Sequence, residues 1–178
     1  LVYGPLADRF GRRPVLLAGL SLYTAAGLAA ALAPEVHALI TARLFQAMGG
    51  CAGLVLGRSI VRDTAEPQEA TRRLALMNLM VTVGPSIAPL VGGALATALG
   101  WRSIFYGLFA LGIVGLLFTW RLLPETGRPG AAVSAPALAR NYARLLRSPA
   151  FLGFSVGGGC ATTSMYAFVA SAPFIFVD

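Results

Sequence analysis

The stretch of sequence that decides the fold lies near the start of the chain. It reads Gly4-Pro5-Leu6-Ala7-Asp8-Arg9-Phe10-Gly11-Arg12-Arg13-Pro14-Val15-Leu16. Gly11 can adopt backbone angles that other residues avoid, so a tight turn between two helices is predicted there. Asp8 stands among three arginines, which predicts a network of ion pairs. An ordinary basic loop explains the arginines but leaves the ordered spacing of Gly4, Asp8 and Gly11 unexplained.

The composition of the whole chain places this charged turn in a membrane protein. Hydrophobic residues make up 57% of the 178 residues, charged residues make up 12%, and the mean hydropathy is +0.74. Soluble domains carry about 25% charged residues, so this chain has too little polar surface to face water. The net charge of +7 does not indicate nucleic-acid binding, because the arginines form short clusters between apolar runs. Cys51 and Cys160 both lie inside apolar runs, which predicts neither a disulfide nor a metal site.

Five apolar runs are long enough to cross a bilayer as helices, which takes about 20 residues. They cover roughly Pro14–Leu32, Leu39–Ile60, Leu74–Leu99, Ile104–Leu123 and Phe151–Val177. Each run is too long for a buried strand, so the predicted fold class is all-α and the predicted architecture is a polytopic membrane protein. Because the sequence opens on Leu1 rather than Met, we expect a fragment that starts at the end of a further helix.

The arginines predict the topology of these spans. They are concentrated before the first span, between the second and third, and between the fourth and fifth. The residues are Arg9, Arg12 and Arg13; Arg58, Arg62, Arg72 and Arg73; and Arg121, Arg128, Arg140, Arg144 and Arg147. The alternate connections hold only Glu35 and His37 in one case and Arg102 in the other. By the positive-inside rule, the arginine-rich connections are expected to be cytoplasmic.

One connection is much longer than the others. Residues 124–149 are rich in Gly, Pro and Ala at first, and Ala137–Leu146 is predicted to be a basic helix. A long connection after several tightly linked spans is typical of a linker between two helical bundles. The arginines of the predicted helix are expected to lie on the inner membrane surface, near anionic headgroups.

Residues 4–16 resemble, without a gap, the signature loop between the second and third helices of the major facilitator superfamily. The resemblance implies that Leu1–Leu6 ends helix two and that the five runs are helices three to seven. Residues 1–123 then belong to an N-terminal six-helix bundle, 124–149 form the cytoplasmic linker, and 150–178 begin the C-terminal bundle with helix seven.

The signature loop is implied to act as a latch, a set of contacts that holds the cytoplasmic side in one conformation. The implied latch residues are Gly4, Asp8, Arg9, Gly11, Arg12 and Arg13, with Asp63 as a further partner of the arginines.

The second span carries a charged residue, Arg43, which shares one predicted helical face with Gln46 and Gly50. A charge inside a span costs at least about a few kcal/mol, so it usually faces protein or a water-filled cavity. An arginine that extends from the span to the membrane surface is the alternative. The pattern resembles the fourth-helix motif of proton-coupled members of the superfamily, although Ala47 replaces the usual glycine. The resemblance implies a role for Arg43 in proton transfer.

Glycines recur every fourth residue in the same span and predict close approach of another helix. They are Gly49, Gly53 and Gly57.

The third span holds two prolines four residues apart, which predict a bend in the helix. The surrounding residues resemble the fifth-helix motif that marks antiporters in the superfamily, with Ala88 where many members have glycine. The motif residues are Gly84, Pro85, Pro89, Gly92 and Gly93. Together with the following Gly100-Trp101-Arg102, this variant resembles the bicyclomycin and chloramphenicol resistance (Bcr/CflA-type) branch of drug:proton antiporters.

The stretch Leu123-Pro124-Glu125-Thr126-Gly127 spells a cell-wall sorting signal. Such a signal needs an exported site followed directly by an apolar span and a short basic tail at the end of the chain. Here the stretch follows a span on the arginine-rich side, so a proline that ends a helix beside an acidic residue is the better interpretation.

These resemblances imply a multidrug efflux transporter that exports small amphipathic drugs in exchange for protons by alternating access. It is expected to act as a monomer in the bacterial inner membrane, with no cofactor. The residues proposed for the substrate cavity are Gln46, Met77, Asn78, Tyr166 and Phe168, because such side chains suit varied apolar ligands.

Two other function classes stay open: an uptake carrier for a small metabolite, and a membrane receptor or scaffold that transports nothing. An enzyme is not expected, because the sequence has no catalytic cluster, no nucleotide-binding loop and His37 as its one histidine. All acidic residues lie in connections or at the ends of the predicted spans, so no proton-carrying carboxylate is visible within a span.

Overall fold

The structure, a computed structural model, describes residues 3–127 and 135–176. Within these ranges, the side chains of residues 67, 135–139, 141, 165, 166 and 169–176 are not described. The elements are seven helices in the described ranges: α1 (Tyr3–Phe10), α2 (Arg12–Ala31), α3 (Val36–Thr64), α4 (Pro67–Leu99), α5 (Arg102–Leu122), α6 (Ala135–Leu146) and α7 (Pro149–Phe176). The predicted all-α fold class is confirmed.

Four of these helices, α2 to α5, are long and apolar enough to cross a membrane. They contain the first four predicted spans, and the fifth predicted span falls on α7. The predicted basic helix of the linker is α6, which is amphipathic.

The chain divides into two compact units. The first, Leu1–Ala132, holds α1 to α5, and the second, Val133–Asp178, holds α6 and α7. The division falls inside the stretch 124–149 that the sequence predicts to be a linker.

In the first unit, α2 is the central helix and packs most extensively against α3 and α5. Its N-terminal half belongs to a small hydrophobic core shared with α1 and α3. That core consists of Ala7, Val15, Leu16, Ala52, Leu56 and Ile60. In contrast, none of the most apolar part of α4 is buried. The apolar surface of α4 therefore suits contact with lipid or with other helices.

The helices are longer than the sequence predicted, and the connections between them are shorter. Arg58 and Arg62 belong to α3, not to a loop, and Arg72 and Arg73 belong to α4. Only residues 65 and 66 connect these two helices. At about 1.5 Å per residue, the 29 residues of α3 span about 43 Å, which exceeds the hydrocarbon core of about 30 Å. The arginines therefore lie on helical turns that extend beyond the hydrocarbon.

Pro85 and Pro89 both lie inside α4, and the helix continues through them from Pro67 to Leu99. The bend predicted at the two prolines therefore lies within one helix and does not divide it into two.

Candidate functional site

The signature turn is built around Gly11, which lies between the end of α1 and the start of α2. Its φ of 95° is in the region that favours glycine, and its backbone N–H donates a 2.9 Å hydrogen bond to the Ala7 carbonyl. This sharp turn places Arg12 and Arg13 on the first turn of α2. The backbone N–H groups at this end of α2 have no acceptor inside their own helix and need one from elsewhere.

Glu125, which follows α5, supplies that acceptor. Its Oε1 accepts hydrogen bonds from the backbone N–H of Arg12 at 2.9 Å and of Gly127 at 2.8 Å. Its Oε2 lies 3.3 Å from the backbone nitrogen of Arg13. A carboxylate in this position also interacts favourably with the positive end of the helix dipole.

The pKa of the Glu125 carboxyl reflects this environment. Partial burial raises the pKa, but hydrogen bonds from the backbone N–H groups of Gly127, Arg12, Arg13 and Thr126 together outweigh burial and leave it below the ordinary value of 4.5. The carboxyl is therefore ionised at neutral pH.

The side chains of the two arginines reach other helices. Arg12 forms an ion pair with Asp63 on the last turn of α3, and the exposed fractions of the two side chains are 18% and 35%. Arg13 donates a 2.6 Å hydrogen bond from Nη2 to the carbonyl of Trp120 near the end of α5. We call Arg12, Arg13, Asp63 and Glu125 the Glu125 cluster; it joins the start of α2 to the ends of α3 and α5.

The structure thus divides the predicted latch residues into two groups. The predicted contact between Asp63 and the loop arginines is present at Arg12. The predicted ion pairs of Asp8 are not present, because Asp8 is exposed and has no ion-pair partner among the described residues. Arg9 lies over the ring of its neighbour Phe10, with 5.1 Å from Cζ to the ring centroid. Gly4 has no atom within 4 Å of the position of a Cβ.

The second site surrounds Arg43, which lies seven residues after the start of α3, or about 10 Å along the helix. Its Nη1 donates a 2.7 Å hydrogen bond to Oε1 of Gln46, and its Cζ lies 5.7 Å from the centroid of the Phe105 ring on α5. Gln46 is only 2% exposed, and its Nε2 lies against Gly27 of α2. A hydrogen bond and a cation–π contact from two helices therefore orient one guanidinium within the span.

The contacts of Arg43 continue toward the N-terminal end of α5. The rings of Phe105 and Trp101 meet edge to face, with centroids 6.0 Å apart, and Cζ of Arg102 lies 4.3 Å from the Trp101 centroid. Arg102 Nη2 in turn donates a 3.1 Å hydrogen bond to the Ala33 carbonyl, beyond the end of α2. From the sequence, Trp101 and Arg102 marked a family branch, and Arg102 also entered the topology prediction. No pattern of spacing indicated that these residues connect to Arg43.

The proposed substrate residues are not brought together in the described structure. Gln46 lies in the interface of α3 with α2 and α5. Met77 packs against Gly57 of α3 with its Cε, whereas Asn78 lies beside Arg58, about 18 Å along α3 from Gln46. Phe168 is 61% exposed on α7 in the second unit, and Tyr166 lies outside the described side chains.

The residues of the predicted antiporter motif lie on α4. Gly84 and Gly92 line an apolar groove of about 870 Å³ between α4 and α5. No atom lies within 4 Å of the position of a Cβ on Gly93, and Pro89 is exposed.

Comparisons with known proteins agree with this architecture. A family model described as Major Facilitator Superfamily matches residues 1–178. The chain is 33% identical to the uncharacterized MFS-type transporter YdgK of Bacillus subtilis (strain 168), an alignment that covers 100% of this chain and 45% of the relative. It is 31% identical to the multidrug transporter MdfA of Yersinia pestis bv. Antiqua (strain Angola), over 98% of this chain and 43% of the relative.

A third relative aligns over a shorter stretch. The chain is 40% identical to the multidrug resistance protein D of Escherichia coli (strain K12), over 76% of this chain and 34% of the relative. The chain spans less than half the length of these relatives.

Proposed function

Because this chain belongs to the Major Facilitator Superfamily and forms part of a multi-pass membrane protein, we propose that the whole protein exports small amphipathic drugs in exchange for protons. The names of two relatives, a multidrug transporter and a multidrug resistance protein, support drugs as the substrate class. The resistance-branch resemblance of residues 84–102 supports the same assignment. The proposed location is the bacterial inner membrane, with the arginine-rich helix ends on the cytoplasmic side and a monomer as the functional form.

The observation that carries the proposal is the environment of Arg43. A guanidinium within a span is costly, and Gln46 and Phe105 hold this one in a fixed position. A guanidinium lowers the pKa of a nearby carboxyl by favouring its ionised form. A conformational change that alters the distance between Arg43 and such a carboxyl therefore changes its proton affinity. The carboxyl is proposed to belong to a part of the protein outside this chain.

The Glu125 cluster has a different role in the proposed alternating access. Its contacts join α2, α3 and α5 inside one unit, so they keep these helix ends together as that unit moves. Asp8 and Arg9 are exposed beside the cluster. They are therefore the residues proposed to form and release the latch with the second bundle.

The proposal is tested with the full-length gene in a bacterium that lacks its own drug pumps. Accumulation of ethidium and chloramphenicol is measured with and without an uncoupler, for the wild type, Arg43→Ala and Arg43→Lys. We expect low accumulation in the wild type and its restoration by the uncoupler. Arg43→Ala should lower uncoupler-sensitive export by about tenfold or more. A change of about tenfold corresponds to a shift of about one unit in the pKa of the carboxyl that Arg43 is proposed to influence. Arg43→Lys should retain part of the export, because it keeps the charge but not the planar guanidinium.

Arg72→Gln is the matched control, since Arg72 is exposed on the first turns of α4 and is not part of either site. If Arg72→Gln lowered drug export as much as Arg43→Ala, the number of positive charges would matter rather than the Arg43 site. Wild-type accumulation that the uncoupler leaves unchanged would contradict proton-driven drug export and favour a metabolite carrier.

A further inference from the structure

A polar pocket of about 350 Å³ lies between α3 and α4 near their cytoplasmic ends. Its walls are Arg58 and Arg62 of α3 and Leu74 and Asn78 of α4, and we call it the arginine pocket. Arg58 Nη2 lies 3.4 Å from Asn78 Oδ1, which positions the guanidinium across the gap between the helices. The pocket is separate from both sites described above.

The charge of the arginine pocket is not compensated by the protein that surrounds it. Three carboxylates lie near these arginines in the sequence: Asp63 pairs with Arg12, Glu69 pairs with Arg73 at 2.7 Å, and Glu66 forms no ion pair with a described residue. Within the described part of the chain, neither Arg58 nor Arg62 has an ion-pair partner. Two like charges one helical turn apart destabilise each other, so a bound anion would stabilise this arrangement.

The depth of the pocket in the membrane indicates which anion it meets. Arg58 lies 22 residues after Val36 at the opposite end of α3, and Asn78 lies 21 residues before Leu99 at the opposite end of α4. At about 1.5 Å per residue, both distances are about 32 Å, slightly more than the hydrocarbon thickness of about 30 Å. The pocket therefore lies at the level of the headgroups of the leaflet on the arginine-rich side.

The next turns of both helices toward the membrane centre are apolar and exposed. Val55 on α3 and Leu79 on α4 have exposed fractions of 39% and 58%. A ligand with a phosphate in the arginine pocket and acyl chains along these turns would match both the charged pocket and the apolar surface. A soluble anion would match only the charged pocket.

We propose that the arginine pocket binds the phosphate group of an anionic phospholipid. The guanidinium groups of Arg58 and Arg62 donate to the phosphate oxygens, for which the planar arginine fork is well suited. The Asn78 amide accepts from Arg58 through Oδ1, so its Nδ2 is free to donate to the headgroup. The site is independent of which substrate the protein transports and in which direction.

The test measures lipid binding to the purified full-length protein in detergent. Native mass spectrometry and thermal unfolding are recorded with added phosphatidylglycerol, with zwitterionic phosphatidylcholine and with inorganic phosphate. We expect phosphatidylglycerol to bind at least about fivefold more tightly than phosphatidylcholine, a preference that falls with rising salt concentration. Equal binding of the two lipids would overturn the proposal, and stabilisation by inorganic phosphate equal to that by phosphatidylglycerol would assign the pocket to a soluble anion instead. This wild-type comparison does not depend on the folding of any variant.

The variants locate the binding in the arginine pocket. Arg58→Gln/Arg62→Gln should remove most of the preference for phosphatidylglycerol. The matched control, Arg72→Gln/Arg121→Gln, removes the same charge from exposed positions outside the pocket and should keep the preference. Equal loss in the control would show a diffuse attraction of the basic surface for anionic lipid and no defined site.

Discussion

Gly49 shows how closely a single residue can determine the packing of two helices. A Cβ at this position would lie 2.5 Å from the backbone nitrogen of Tyr23 and 2.6 Å from the carbonyl oxygen of Gly19, both on α2. Neither backbone atom can move without a shift of the helix, so we expect Gly49→Ala to destabilise the protein by about 1–3 kcal/mol. The measurement is the thermal unfolding temperature of the full-length protein in detergent.

Gly53→Ala, one turn along the same helix, is the control for Gly49→Ala. No atom lies within 4 Å of the position of its Cβ, so stability should stay the same or rise slightly with the better helix propensity of alanine. A Gly53 variant as unstable as the Gly49 variant would contradict the packing described here.

Residue-level prediction from the sequence was only partly successful at these glycines. Their spacing predicted that Gly49, Gly53 and Gly57 all permit a close helix approach, but only Gly49 meets backbone atoms of another helix. Gly53 has open space, and Gly57 meets the flexible end of Met77. A four-residue step turns about 40° beyond a full helical turn, so the two steps from Gly49 to Gly57 turn about 80° and do not keep the three glycines on one interface.

At the scale of the elements, Glu125 joins the segment after α5 to the start of α2. The hydrogen bonds to the N-terminal backbone of α2 favour the ionised carboxyl, so its pKa lies below 4.5 in the folded protein. A carboxyl with a lowered pKa adds stability above its unfolded pKa, and this contribution is lost as the pH falls through the folded pKa. We expect Glu125→Gln to destabilise the protein by about 0.3–1 kcal/mol at pH 7 and by progressively less as the pH falls below 4.5.

The unfolding temperatures of Glu125→Gln and the wild type, measured from pH 7 down to pH 4, test this expectation. Glu35→Gln is the control, because Glu35 lies at the start of α3 but its side chain makes no hydrogen bond to the N-terminal backbone of that helix. A constant difference between Glu125→Gln and the wild type over the whole pH range would contradict a role for the carboxylate charge.

The helices themselves were largely predictable, and their ends were not. Apolar runs located the spans, since only a regular helix satisfies the backbone in lipid. The same criterion ended the second predicted span at Ile60 and began the third at Leu74, whereas α3 continues past Arg62 to Thr64 and α4 begins at Pro67. Charged residues are compatible with helix once the chain has left the hydrocarbon, so hydropathy marks the membrane boundary rather than the end of the helix.

On the scale of the whole molecule, the fold followed from the sequence because composition, topology and the motif in residues 4–16 all indicated the same architecture. The contacts within the two sites were harder to predict from the sequence, because they join residues that are far apart in the chain. Arg12 and Glu125 are separated by 113 positions, and Glu125 had been interpreted only as an acidic residue at a helix end. Arg43 and Phe105 come from different spans whose relative rotation no sequence pattern specifies.

The ion pair of Arg12 and Asp63 lets the Glu125 cluster be tested as a unit of the whole protein. Each side chain is at least half-buried, so removal of one partner leaves a poorly solvated charge on the other. We expect Arg12→Gln and Asp63→Asn each to lower stability and drug export, and the double variant to be no worse than either single one. The coupling energy from this cycle should be about 1 kcal/mol or more, measured by thermal unfolding and by drug accumulation.

The pair Glu69 and Arg73 is the matched comparison, because its 2.7 Å contact lies between side chains that are 54% and 47% exposed. Exposed pairs four residues apart on a helix contribute only about 0.3–0.5 kcal/mol. The Glu69→Gln/Arg73→Gln cycle should therefore give a coupling below that of Arg12 and Asp63 and leave export unchanged. Equal coupling in the two cycles, or additive losses at Arg12 and Asp63, would mean that α2 and α3 are joined at this end by packing of Ala7, Leu16 and Ile60 rather than by charge.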